Sequence, residues 1–162
     1  MQYLGLGLSV ILLIVANGAP VIATDLFNNH IKYPIDGGHL FFDDRPWLGH
    51  SKTWRGVFAS LLATCLVAML LGFDWQFGIM FGGLAMTGDL LASFSKRRIG
   101  IIVSGRAWLL DQLPESIFPV MLLRDTLGLS LSEVVIVIAV FTLLSIVISP
   151  ILYQLHIRRR PY

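Results

Sequence analysis

Charge is the scarcest commodity in this chain. Asp, Glu, Lys and Arg make up only 14% of its 162 residues, against 56% hydrophobic residues, and mean hydropathy is +0.76. A soluble domain carries about 25% charge to face water, so a soluble enzyme is excluded. Disorder is excluded too, because disordered chains are poor in apolar residues. The single cysteine, Cys65, lies inside an apolar run and rules out a disulfide scaffold. There is no internal repeat, no low-complexity linker and no second domain. The net charge of +2 is too small to argue for a nucleic-acid partner. What remains is an all-α integral membrane protein, expected as one membrane domain over residues 1–162.

Several familiar chemical signatures are also missing. Gly49-x-x-Lys52-Thr53 lacks P-loop spacing, and no strand precedes it. No Ser-His-Asp set suggests itself. His30, His39, His50 and His156 show no metal-ligand spacing. The acid-rich Asp-Gly…Ala-Arg…Gly…Asp…Asp series of CDP-alcohol phosphotransferases is absent.

What is present is a set of long apolar runs. Spans are predicted at about 3–23, 56–73, 75–95 and 134–155, each close to the ~20 residues that cross a hydrocarbon core as a helix. A fifth run, 107–123, is interrupted by Asp111, Pro114 and Glu115. Basic residues decide its status. Lys32, Arg45, Lys52 and Arg55 lie between the first two spans; Lys96, Arg97, Arg98 and Arg106 follow the third; Arg158, Arg159 and Arg160 follow the last. Five spans place all three clusters on one face, which the positive-inside rule makes cytoplasmic. Four would put the C-terminal arginines on the other. The expectation is therefore five transmembrane helices, N-terminus out and C-terminus in, with cytoplasmic loops at 24–55 and 96–106. The first run begins Met1-Gln2-Tyr3 without a basic region and is long for a signal peptide, so it is read as a retained helix. Pro20 is expected to kink or loosen its end.

Almost every charge gathers on those two loops or the helix ends beside them. In Gly88-Asp89-Leu90-Leu91-Ala92-Ser93-Phe94-Ser95-Lys96-Arg97-Arg98, Asp89, Ser93 and Lys96 fall on one helical stripe. An aspartate about two turns inside a membrane end is costly and rarely idle. The structural alternative is an Asp89–Lys96 contact tying down the helix end. The functional reading gives Asp89 a divalent cation and Lys96, Arg97 and Arg98 the phosphates. Asp111, followed by Gln112, supplies a second carboxylate. One carboxylate from each of two helices, with substrate phosphate oxygens and water, suits magnesium. Asp36 and Asp43 are further candidate ligands, and Lys52-Thr53-x-Arg55 adds a basic turn. Such a set suits phosphate chemistry at a membrane surface, where positioning and charge stabilisation do most of the catalysis. A non-enzymatic scaffold or transporter subunit is the alternative, although a transporter would more often place its polar groups near the midplane.

These residues resemble the CDP-archaeol synthase family, relatives of the membrane CDP-diacylglycerol synthases. The matching segments are Pro34-Ile35-Asp36, Leu48-Gly49-x-x-Lys52-Thr53-x-Arg55-Gly56, Gly88-Asp89-x-x-x-Ser93-x-x-Lys96-Arg97-Arg98, Gly105 and Asp111-Gln112. The resemblance implies a CTP-dependent cytidylyltransferase that turns a membrane lipid phosphate into a CDP-lipid, releasing pyrophosphate with Mg2+. It implies catalytic roles for Asp89, Asp111 and Lys96, with the two aspartates on the metal. Lys52, Thr53, Arg55, Ser93, Arg97 and Arg98 would bind nucleotide phosphate. Two positions depart from the pattern. Asp44 stands where a glycine is expected, and His50 where a small or acidic residue is expected.

Overall fold

A computed structural model describes residues 2–27, 32–103, 105 and 107–154. His30, Arg106, His156 and Arg158 to Arg160, all weighed above, lie outside the described residues. The elements are α1 (Gln2–Leu26), α2 (Trp54–Leu70), α3 (Trp75–Arg98), α4 (Trp108–Leu122), α5 (Arg124–Leu127) and α6 (Leu131–Gln154). Among the described residues the only β pairing is two isolated antiparallel bridges, Pro34 with Thr53 and Leu40 with Pro46. The protein is an all-α integral membrane protein, as expected.

Each predicted span is a helix, but not all match in length. Helices α1, α3 and α6 are long and apolar enough to cross a membrane. Helix α2 has 17 residues and α4 has 15. At 1.5 Å per residue α4 reaches about 22 Å, short of a ~30 Å hydrocarbon core. Helix α6 begins earlier than predicted because Ser130 and Glu133 form a reciprocal cap: Ser130 N–H donates to Glu133 Oε2 at 2.8 Å, and Glu133 N–H donates to Ser130 Oγ at 3.4 Å. The short α5 fills what was expected to be a plain turn.

Pro20 does not end α1, which runs on to Leu26. A proline cannot donate to the carbonyl four residues back, here Ala16. That carbonyl instead accepts a hydrogen bond from Ser60 Oγ of α2 at 2.8 Å, in a fully buried setting. The helix survives because a neighbour satisfies the freed acceptor, as membrane helices require.

Helix α3 is the central element, with α2 on one side and α4 on the other. Small residues allow both contacts. A Cβ on Gly78 would press on Cys65 Cα and Ala68 of α2, and one on Gly88 would collide with the backbone of Pro114 in α4. Leu12, Leu13, Phe77, Phe81, Val120, Val137 and Phe141 make the core beneath these crossings. Asp89 therefore sits next to the tightest α3–α4 approach, and that packing positions the site.

Candidate active site

Residues 32–52 of the first loop are built around Asp36. Its Oδ2 accepts from the backbone N–H groups of Leu48 at 3.0 Å and Gly49 at 2.7 Å, and its Oδ1 from Gly38 N–H at 3.1 Å. Burial pushes this carboxyl upward, but the three N–H donors outweigh it and hold the group below its ordinary value. Gly49, at φ 95°, packs so closely on Val103 that a side chain would not fit. Ile35 N–H donates to Lys52 O at 2.9 Å. Lys52 is thereby fixed at the start of α2, where Thr53 is the N-cap and accepts from Gly56 N–H at 3.3 Å.

Reciprocal arginines fasten this loop to the end of α3. Arg45 donates to the carbonyls of Arg97 at 3.2 Å and Arg98 at 2.7 Å, the unsatisfied acceptors of a helix C-terminus. Arg98 donates to Asp43 Oδ1 at 2.5 Å and to Pro46 O at 2.6 Å. Its guanidinium lies 4.5 Å and 4.9 Å from the ring centres of Phe41 and Phe94. Between these anchors, Asp44 adopts φ 57°. This is the left-handed conformation that favours glycine, which explains physically why a glycine was expected there.

Beneath the loop lies a cavity of about 660 Å³. Lys52, Thr53, Arg55, Asp89, Ser93, Lys96, Arg97 and Asp111 all line it. Asp36, Asp43 and Arg98 do not: the first organises the loop, and the other two latch it to α3. Asp89 makes no ion pair with Lys96 of its own helix. Both its oxygens accept from Lys52 Nζ, at 2.7 and 2.5 Å. Lys96 reaches Asp111 of α4 and also donates to Gly105 O at 3.3 Å. Asp111 Oδ2 further accepts from Ala107 N–H at 3.0 Å, ahead of α4. Helix α3 thus offers its acid to the loop and its base to α4.

Burial makes these charges costly to leave unpaired. Lys96 is 8% exposed and Arg97 3%. Arg97 donates to Ile101 O, while its Nε is buried and makes no hydrogen bond. Gln112 Oε1, on the same cavity wall, is likewise buried and without a hydrogen bond. Both atoms are buried beneath the cavity wall, a donor and an acceptor without hydrogen-bond partners. Reasoning from sequence passed over Gln112 as a contact and missed Asp25, Lys32 and Glu115, which also border the cavity. Away from this end, α1 and α6 add the apolar side chains Ile14, Val21, Phe141, Ile146 and Ile148, interspersed with Asn17, Ser145 and Ser149.

Comparison with known proteins identifies the family. A family model described as "CarS-like: CDP-archaeol synthase" matches residues 73–162. The chain belongs to the CDP-archaeol synthase family. A CDP-archaeol synthase of Sulfolobus acidocaldarius is 33% identical over 92% of this chain and 91% of its own length. One from Hyperthermus butylicus is 39% identical over 65% of this chain and 64% of its own. A solved structure, described as an intramembrane enzyme for archaeal membrane lipids biosynthesis, superposes with TM-score 0.69 at 29% identity, covering 87% of this chain and 90% of that one. Membership in a family of membrane enzymes sets aside the scaffold and transporter alternatives.

Whether the cavity suits a divalent cation can be judged from its donors. Among the described residues no group of three or more His, Cys, Asp or Glu converges as a cage. Magnesium does not ask for one, since one or two carboxylates plus substrate phosphates and water suffice. Asp89 and Asp111 offer hard oxygens on one cavity, and an ammonium already sits against each. The residues fit.

Proposed function

We propose that this protein is a CTP-dependent cytidylyltransferase that converts a membrane lipid phosphate to a CDP-lipid and releases pyrophosphate. The acceptor suggested by the family name is the phosphate of an archaeal ether lipid. The observation that carries the reading is a single cavity in which buried Lys96 and Arg97 and the carboxylates of α3 and α4 adjoin apolar side chains of α1 and α6. One end suits a triphosphate and the other suits lipid chains.

The chemistry follows from those residues. A lipid phosphate oxygen attacks the α-phosphorus of CTP as the bond to the β-phosphate breaks. The nucleophile is already ionised near neutral pH, so no general base is needed. The barrier is electrostatic, because two anions approach and a pyrophosphate leaves with its charge. Lys52, Lys96, Arg97 and Arg55 border the space where that charge collects, and preorganised cations there lower such a barrier. Ser93 and Thr53 add hydroxyls, although Thr53 is already engaged as a helix cap. Asp89 and Asp111 would hold Mg2+, which supplies neutralisation of the phosphates when bound.

The same reading places five crossings in one domain, residues 1–162, with the N-terminus out and loops 24–55 and 96–106 in the cytoplasm, where CTP is. Purified protein in nanodiscs, given labelled CTP, Mg2+ and either an ether-linked or an ester-linked lipid phosphate, should form a CDP-lipid and prefer the ether acceptor. No CDP-lipid from either acceptor would refute the reading.

A further inference from the structure

The two carboxylates assigned to the cation are already occupied. Lys52 Nζ lies within 2.7 Å of both oxygens of Asp89, and Lys96 is paired with Asp111. The two pairs share one cavity and are built from three elements, loop, α3 and α4. Neither is sealed: the side chains of Lys52 and Asp89 keep 23% and 22% exposure, and those of Lys96 and Asp111 keep 10% and 27%. An ammonium centred on both oxygens of one carboxylate stands where a bidentate metal would stand. The lysines are also the groups that a triphosphate would attract. So the same four side chains are needed in two different pairings.

We propose that Lys52 and Lys96 are resident counter-cations that hold the metal seats of Asp89 and Asp111 until nucleotide arrives, and then change partners. This rests on the phosphate-and-cation reading of the cavity. When a divalent cation takes the carboxylates, each ammonium is released within reach of the phosphates that enter with it. No bond is made or broken, and charge is conserved by exchange of partners. A buried carboxylate without a cation would be costly, so the lysines also keep the empty cavity stable. The consequence is coupling. A divalent cation alone must displace an ammonium from its paired carboxylate without a phosphate to receive it, so it binds weakly. With the triphosphate present the ammonium has a destination, and both ligands bind more tightly, each favouring the other by the same factor. The metal and the nucleotide therefore enter as one unit.

The test is Mn2+ binding to the full chain in nanodiscs, read from the free Mn2+ electron-spin-resonance signal, with no lipid acceptor and therefore no turnover. In the unsubstituted protein Mn2+ alone should bind weakly, and CTP should tighten it at least tenfold beyond the Mn2+ that CTP takes up in protein-free nanodiscs. Lys52→Met removes the resident ammonium with little change in length. It should bind Mn2+ alone at least tenfold more tightly, and the further tightening by CTP should shrink relative to the parent. Lys52→Arg should behave as the parent, and Asp89→Asn combined with Lys52→Met should lose the gain. Lys96→Met repeats the test at Asp111 should loop packing fail in Lys52→Met. Mn2+ affinity that is unchanged or weaker in both methionine variants would overturn the proposal. Tighter Mn2+ binding in Lys52→Met with no effect of CTP on the parent would uphold the seat and sink the nucleotide reading instead.

Discussion

Arg97 and Arg98 are neighbours of one type at one helix end, and the structure gives them different work. Arg98 faces away from the cavity and holds the first loop. Arg98→Lys keeps the charge but loses the planar fork that serves Asp43 and Pro46 together. The Asp43 pair, with side chains 20% and 38% exposed, is screened and contributes at most about 1 kcal/mol, most of which an ammonium retains. The larger loss is the Pro46 carbonyl left without its donor, about 1 kcal/mol or more. Weaker stacking over Phe41 and Phe94 adds about 0.5–1 kcal/mol. A total near 2 kcal/mol raises the open population of the loop about 30-fold. Limited proteolysis within residues 32–52 reads that population directly when reclosing is fast. Arg98→Lys should be cut roughly 30-fold faster, while the CTP concentration for half-maximal binding changes little once the loop is closed. Arg97→Lys should do the reverse, weakening CTP use tenfold or more. Unchanged proteolysis with a tenfold loss of CTP affinity in Arg98→Lys would refute this division of labour and return Arg98 to the phosphates.

Asp44→Gly should leave activity intact and raise loop stability by up to about 1 kcal/mol, because it relieves a left-handed backbone; slower proteolysis of the loop is the readout. Asp36 has a folded value below its unfolded one, so its contribution is complete above about pH 4 and disappears on further acidification. Hydrogen exchange at Leu48 and Gly49 should therefore accelerate as pH falls below that point, beyond the intrinsic trend, and Asp36→Asn should abolish the extra dependence. For topology, a cysteine at exposed Ser51, with Cys65 replaced, should react only with reagent supplied from the cytoplasmic side; labelling from outside would invert the orientation.

The spans were legible because long uncharged runs have few other uses, and the site was legible because each charge in such a chain stands out. Asp89, Lys96, Arg97, Asp111 and Lys52 were all identifiable this way, and all reach one cavity. Their pairing was not legible. A helical stripe brings Asp89 and Lys96 together by spacing, but Lys52, 37 residues away in sequence, takes Asp89, and α4 takes Lys96. Such choices depend on tertiary packing that no local period encodes. The same holds for Pro20, expected to kink or loosen α1, where Ser60 of another helix satisfies the Ala16 carbonyl. Asp36 and Asp43 looked like metal ligands by residue type, yet backbone amides and Arg98 claim them. Gln112 was visible only as the residue after Asp111 in the family resemblance, and its burial without a hydrogen bond is what the structure adds.

The central claim is that the cavity between the first loop, α3 and α4 transfers the cytidylyl group, with Asp89 at its centre. Asp89→Asn preserves shape and the α3–α4 packing while removing the charge that anchors a cation. The decisive measurement is CDP-lipid formation by this variant beside the parent, at equal insertion, saturating CTP and Mg2+. The account predicts a loss on the order of 10²–10³ or more, the scale at which one preorganised electrostatic group contributes to turnover. Parental turnover in Asp89→Asn would contradict it.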